Sequence, residues 1–359
     1  MIKKYLYSSL AILAVACATI EVPTKVLSEP EWSNIDSDSD IKRVVVTSTN
    51  FFSGAISPQT ENFNQAGVMS VGGSETIEKY INILKDRYVD QVLLVDSGEI
   101  NEPNSSQNFT KDVLAHYKRV GYDAIQFSEQ EYLEIDDKFI DDSKVNFVNT
   151  NIINLKKQGP YSSKHISPYI IKNINGVRVA ILAISTYKNT DAIKEKRLNG
   201  LYFEDPVLSI LKAKRQLRRK KINAYILLVH TQSNCIKDMC SSASDIIESM
   251  IKRLPPNSID AIIGSSAEMI SRKIHGIPVI QNEGKGKYLS RLELFYSKSQ
   301  KKIISDKTII HSPTKLCSRF FMATMDCHIN KDQYALEKME LIKSSDFEKI
   351  PARFLGKEI

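Results

Sequence analysis

The sequence predicts an α/β fold, and three observations carry that expectation. From Lys42 onward, short β-rich runs alternate with stretches of helical periodicity. Several of the runs are continuously apolar, as strands covered on both faces must be. The length of 359 residues, 42% apolar and 25% charged, suffices for one large domain or two small ones with a substantial core. It excludes disorder and collagen-like repeats.

The N-terminal segment stands apart from that pattern. Lys3 and Lys4 precede a mostly apolar and small run, Tyr5–Ala16, which is too short to span a bilayer and fits the apolar region of a signal peptide. The run ends Leu13-Ala14-Val15-Ala16-Cys17. This resembles the bacterial lipobox, which implies cleavage of residues 1–16 and acylation of Cys17; cleavage after Ala16 with Cys17 left unmodified is the alternative. Residues 17–41 include the acidic, apolar-poor stretch SEPEWSNIDSDSDI and are expected to form a flexible tether.

The expected strands are Arg43–Thr49, Gln91–Asp96, Ala124–Phe127, Lys144–Asn149, Val177–Ser185, Ala224–His230, Asp260–Gly264, Pro278–Gln281 and Leu289–Phe295. The expected helices are Ser74–Arg87, Asn108–Val120, Pro206–Lys221 and Ser244–Lys252. Ser74 and either Asn108 or Thr110 are expected caps, with Gly121 as a helix stop. A tail, 313–359, contains a charged stretch, Gln333–Ile342, that is expected to be helical.

The formal charge is +7, mildly basic, and suggests no nucleic acid. The densest basic run, Lys212–Lys221, follows Val207, Ile210 and Leu211 at helical spacing. It reads as the solvated face of an amphipathic helix, with an anionic-lipid or polyanion patch as the sharper alternative. Beyond Cys17 there are four cysteines, Cys235, Cys240, Cys317 and Cys327, an even number that permits two disulfides in an exported chain. Cys235 and Cys240 have no second pair at zinc-ribbon spacing. Cys327-His328 lacks the cysteine of a haem-attachment motif, since Thr324 stands there.

Five motif blocks at predicted strand ends, and the framework around them, carry the functional reading. The framework comprises Gly72-Gly73 and the helix after it, the strand Val92–Asp96 with Ser97-Gly98, the segment Gly121–Ala124, Asn149 and Asn151 with Ile152, the run Asn175–Ile181, and the closing runs Ile277–Gln281 and Gly286–Leu294. In order and spacing these resemble the calcineurin-like metallophosphoesterases, specifically the 5'-nucleotidase branch, over residues 42–312. The resemblance implies a four-layer αββα sandwich of two mixed sheets flanked by helices. It also implies a pair of divalent metals that activate a bridging water and clamp a phosphate, held by Asp, Asn and His ligands.

The chemistry-bearing positions depart from that pattern. Where the first motif implies an aspartate and a histidine, this chain has Phe51 and Ser53. The bridging aspartate is replaced by Glu99, and the ligand asparagine by Glu129. Gln130 stands where a general-acid histidine is implied, and glutamine has no proton to give near neutral pH. His230 is kept. The last motif reads Ser265-Ser266-Ala267-Glu268, with both of its histidines gone.

The expectation is an exported, lipid-anchored protein of the cell envelope, catalytically inactive, with a binding or surface role and no cofactor. Its contacts would be the membrane, through lipid on Cys17, and an unidentified protein or small molecule. The alternative is a phosphoester hydrolase in which Glu99, Glu129, His230 and Glu268 hold a single Mn²⁺, Zn²⁺, Mg²⁺ or Ca²⁺. A separate nucleoside-binding domain, which the resemblance also implies for true 5'-nucleotidases, is not expected in the short stretch that follows the closing strands here.

Overall fold

The computed structural model describes residues 38–62, 68–187, 198, 200–231, 234–236, 239–317, 319–321 and 341–343. The expected signal peptide, Cys17 and most of the expected tether therefore lie outside the described residues, as do Cys327 and most of the tail. In chain order the principal strands are β1 (Ile41–Thr49), β2 (Val92–Asp96), β3 (Ala124–Gln126), β4 (Phe147–Val148), β5 (Ile166–Ser167), β6 (Ile170–Ile174), β7 (Val177–Ser185), β8 (Ala224–His230), β9 (Ala261–Ser265), β10 (Ile270–Ile274), β11 (Ile277–Gln281), β12 (Tyr288–Ser297) and β13 (Lys302–Ile303). The helices are α1 (Ser74–Arg87), α2 (Gln107–Val120), α3 (Glu129–Glu134), α4 (Asp137–Ser143), α5 (Pro206–Leu217) and α6 (Ala243–Arg253).

Two mixed sheets stack face to face. The first runs β13-β12-β1-β2-β3-β4-β5, with β12 antiparallel to β1 and the remainder from β1 to β5 parallel. The second runs β6-β7-β8-β9-β11-β10, parallel at its centre and antiparallel at both edges. Side chains alternate across a strand, so β1 sends Val44 and Val46 into the core between the sheets and Val45 into the helical layer. Facing Val44 and Val46 across the sandwich are Val179, Ile181, Ile226, Leu228 and Ile263. Helices α1 and α2 bury Ile77, Ile81, Leu84, Val113 and Tyr117 on the first sheet; α5 and α6 bury Ile210, Leu217, Ile247 and Met250 on the second. Burial of one such aliphatic side chain contributes about 1.5–3 kcal/mol, so each helix is held chiefly by its apolar stripe. This is the four-layer αββα sandwich.

Each expected strand is present, with ends that differ by a few residues. The edge strands β6 and β10 were not among them, because Ile170–Ile174 and Ile270–Ile274 carry polar and charged residues at their centres. The caps differ too. Gly73 caps α1 without a side-chain bond, and the Ser74 hydroxyl turns sideways to His116 Nδ1, 2.8 Å away. Ser106, ahead of both expected candidates, caps α2 by accepting from Phe109 N, and Gly121 ends that helix in the left-handed region as expected. The basic helix stops at Leu217 and continues as a 3-10 turn over Arg218–Lys220.

In the tail, Leu341–Lys343 pairs with Arg319–Phe321 as a strand, and residues 333–340 of the expected helix lie outside the described residues. Cys317 is disulfide-bonded, and Cys235 and Cys240 stand directly opposite each other in a two-stranded ribbon. Among the described residues no helix is long and apolar enough to cross a membrane.

Candidate functional site

The carboxyl ends of the parallel strands meet at the seam between the sheets, and the loops there carry the divergent motifs. After β1, Phe51 and Ser53 both take positive φ (46° and 50°), and the turn is tied to the loop after β2. Phe51 N donates to Gly98 O, Ser53 N to Glu99 O and Gly54 N to Ile100 O, at 2.8–3.1 Å. Phe51 packs on Gly284, where a Cβ would sit 2.7 Å from the Phe51 Cβ. Phe52 is fully buried and stacks on His116 at 5.2 Å. A loop that implies metal ligands by resemblance is here an aromatic plug.

Asn50 closes the same seam, with Nδ2 donating to Asn282 O and Ser266 O and Oδ1 accepting from Asn282 N. Asn151 does the equivalent on the other side, bonding both backbone groups of Ser185 and the carbonyl of Glu204. These short amides knit loops that would otherwise leave buried backbone groups unpaired.

Three strand ends lie in register: Ser185 of β7, His230 of β8 and Ser265 of β9. His230 is 1% exposed and sits between two carboxylates, with Nδ1 3.1 Å from Glu129 Oε1 and Nε2 3.2 Å from Glu99 Oε1. Both contacts are ion-pair distances without in-line hydrogen-bond geometry, so charge carries the attraction. The second Glu129 oxygen accepts from the Ser185 hydroxyl. Burial alone would strip the proton from the ring, but the charges of Glu129 and Glu99 overcome it and hold His230 well above the usual histidine range. Burial would likewise raise Glu129; the neighbouring His230 charge and the bond from the Ser185 hydroxyl outweigh it and keep that carboxyl low. Glu99 is the open end of the row, its side chain 26% exposed.

The other sequence-derived positions fall around this row. Ser128 and Glu131 form a capping box on α3, and Glu131 Oε1 also accepts from Ile100 N at 2.9 Å, which locks the Glu99 loop to the Glu129 helix. Gln130 is half-buried. Ser266 accepts from Gln281 Nε2. Glu268 is directed to α6, accepting from the Ser244 hydroxyl at 2.9 Å and from Ser244 N at 3.3 Å. The structure therefore brings Glu99, Glu129 and His230 together and places Glu268 with a helix start instead. Ser185 and Asp96 were missing from the sequence reading. The available signal was a polar residue ending an apolar strand, which is common to many strands that bind nothing.

Asp96 lies nearby, fully buried, and accepts from Thr49 Oγ1, Tyr117 OH at 2.9 Å and Gly98 N at 2.8 Å. Burial, against those three donors, pushes its carboxyl up to about 7. On the outer side of Ser185 a cavity of about 340 Å³ opens between Tyr187, Phe203, Asp205 and Met250.

Such a row does not fit a metal ion. The ring nitrogens of an imidazole point in different directions, and each already faces its own carboxylate, so the three groups present no common point to one cation. Among the described residues no three His, Cys, Asp or Glu side chains are grouped to hold a metal.

No family model matches the chain. It is similar to the 5'-nucleotidase of Vibrio cholerae, 22% identical over 214 residues that cover 57% of this chain and 37% of that protein. Among solved structures, a 5'-nucleotidase precursor from Thermus thermophilus superposes with a TM-score of 0.59 at 16% identity, covering 77% of this chain and 55% of that one. The calcineurin-like phosphoesterase YfkN from Bacillus subtilis superposes with a TM-score of 0.56 at 17% identity, covering 76% and 89%. The fold is thus that of the calcineurin-like phosphoesterases, and the relationship is distant. The chain spans 37% of the Vibrio protein and about half of the Thermus one.

Proposed function

We propose that this chain is a catalytically silent metallophosphoesterase-fold protein, exported and held to the cell envelope by lipid on Cys17, with a binding or surface role. The observation that carries the loss of catalysis is the position of His230. An imidazolium between Glu99 and Glu129, 3.2 and 3.1 Å away, supplies internally the positive charge that clustered carboxylates require. A two-metal mechanism needs neutral imidazoles and converging oxygens. Here the one retained histidine is charged, Phe51 offers no donor, and Gln130 offers no titratable proton. The lipid anchor is supported by the sequence Leu13-Ala14-Val15-Ala16-Cys17.

Calorimetric titration of the purified chain with Mn²⁺ and Zn²⁺, beside His230→Ala and Glu99→Ala, tests the silent site. The expected result is no binding, or weak binding that both substitutions leave unchanged. One equivalent bound tightly, and lost in both variants, overturns the proposal in favour of a rebuilt single-metal hydrolase. Metabolic labelling with a fatty acid, abolished by Cys17→Ser, tests the anchor separately.

A further inference from the structure

Helix α5 differs from every other long helix among the described residues in its charge. From Pro206 to Lys221 there are seven basic residues (Lys212, Lys214, Arg215, Arg218, Arg219, Lys220 and Lys221) and no acidic one. The whole chain has 49 Lys and Arg against 42 Asp and Glu; with these seven set aside, 42 basic side chains face 42 acidic ones. The entire net charge of +7 is equivalent to this one segment. By contrast, α1 mixes Glu75, Glu78 and Asp86 with Lys79, Lys85 and Arg87, and α6 mixes Asp245 and Glu248 with Lys252 and Arg253.

Two of the seven are used locally. Lys212 pairs with Glu204, and Lys214 is half-buried, donating to Ser258 O at 2.6 Å over the ring of Tyr225. Arg215, Arg218, Arg219, Lys220 and Lys221 are exposed, and none makes an ion pair with a described residue. The acidic groups at the start of the helix are already committed, Glu204 to Lys212 and Asp205 to Arg253.

The same helix exposes leucines. Val207, Ile210, Ala213 and Leu217 form its buried stripe, whereas Leu208 and Leu211 are 46% and 37% exposed. At 100° per residue, Leu208, Leu211, Lys212 and Arg215 share one outward face, and Arg219 continues it into the 3-10 turn. A merely solvated face needs the cations but not the leucines. Apolar side chains flanked by unpaired cations are what an interfacial helix presents to a bilayer, apolar groups entering the acyl boundary and cations meeting lipid phosphates.

We infer that the outward face of α5, with Leu208 and Leu211 beside Arg215, and with Arg218 and Arg219 in the 3-10 turn that follows, docks the domain flat on an anionic lipid surface. This docking adds to any acyl anchor, since it resides in the folded domain, and it is independent of the state of the Glu99–His230–Glu129 row.

Vesicle flotation tests the inference with the full chain carrying Cys17→Ser, so that no acyl chain contributes. Vesicles of phosphatidylcholine alone are compared with vesicles one-third phosphatidylglycerol; attraction from the N-terminal run, with Lys3 and Lys4, is common to every variant compared. Partition onto anionic vesicles is expected to exceed that onto neutral ones at least tenfold at low salt, and to collapse at about 0.5 M NaCl as the charges are screened. A cation at an anionic surface contributes about 1 kcal/mol, or about fivefold, so Arg215→Glu with Arg219→Glu should remove twentyfold or more. Leu208→Ser with Leu211→Ser, which leaves the charge intact, should lower partition several-fold. Equal partition onto the two vesicle types overturns the inference, as does partition that survives the charge reversal. Unchanged partition of the leucine variant, together with equally tight binding to a soluble polyanion, assigns the patch to polyanions and overturns the lipid reading.

Discussion

Two carboxyl groups at the same end of the sandwich are equally buried and end in opposite states. Asp96, beneath the loop after β1, is 0% exposed and Glu129, at the start of α3, is 2% exposed. Asp96 has three neutral donors and no cation, and burial pushes it up to about 7. Glu129 has one serine and the ring of His230, and it stays below the usual glutamate range. Neutral hydrogen bonds therefore do not replace a charge partner in this interior, whereas a single imidazolium does. In the silent site proposed above, a side chain provides the cation.

The largest test of that contrast removes the cation. His230→Ala leaves Glu129 buried without a charge partner, and such a loss costs about 3–5 kcal/mol. Urea denaturation at pH 7 should show a loss of that size. Adding Glu129→Gln to His230→Ala should restore most of it, because the lone charge then disappears. Strictly additive single and double variants would mean that the pair is not coupled, and the imidazolium would have to be abandoned.

Two buried histidines sharpen the same point without any substitution. His116 is pushed down to about 4, chiefly by burial and then by the neighbouring Arg119 charge. His230 is held high by its two carboxylates despite equal burial. In an NMR titration His116 should remain neutral at pH 5, and His230 should remain charged at pH 8. The linkage has a definite sign. A histidine whose folded value is raised stabilises fully below the unfolded value of about 6.5, and that stability is lost as pH rises through the folded value. For His230 the loss belongs to alkaline pH.

The framework of this molecule was legible in its sequence because apolar periodicity writes strands and helices directly. Val177–Ser185 and Ala224–His230 match their expected bounds residue for residue, as does Ser74–Arg87. The edge strands were hidden by Lys172, which is half-buried and paired with Asp123, and by Asn173 and Ser271-Arg272-Lys273, which face solvent as edges allow. The site was half legible. Motif order brought Glu99, Glu129 and His230 to one place, but spacing cannot say whether three such groups converge on a point or stand in a row. That distinction depends on side-chain direction, as does the turning of Glu268 to Ser244.

A smaller effect is expected at Asp96. Asp96→Asn keeps the bond from Gly98 N and asks the Thr49 and Tyr117 hydroxyls to rotate and accept, at a cost of about 1 kcal/mol. Its pH signature is the stronger readout. A carboxyl whose folded value is raised holds its proton in the folded state. Its contribution is therefore greatest below about pH 4 and falls as pH rises to about 7. The wild type minus Asp96→Asn difference in stability should decline over that window. A flat difference would place Asp96 among the ordinary ionised carboxylates and dissolve the contrast with Glu129.

The smallest effect is expected at Glu99, and it sets how much of the row depends on its open end. Glu99 contacts His230 as closely as Glu129 does within 0.1 Å, 3.2 Å against 3.1 Å, but its side chain is 26% exposed against 3%. Water screens a partly exposed pair, so Glu99→Gln should cost about 1 kcal/mol or less in urea denaturation. It should also leave His230 charged at neutral pH, because Glu129 remains. A cost as large as that of His230→Ala would mean that the two carboxylates act as one unit, with the proton shared along the whole row. A Glu99→Gln variant whose His230 titrates near the ordinary histidine value would place the decisive charge at Glu99, at the exposed mouth, and would make the row responsive to solvent and ligands there.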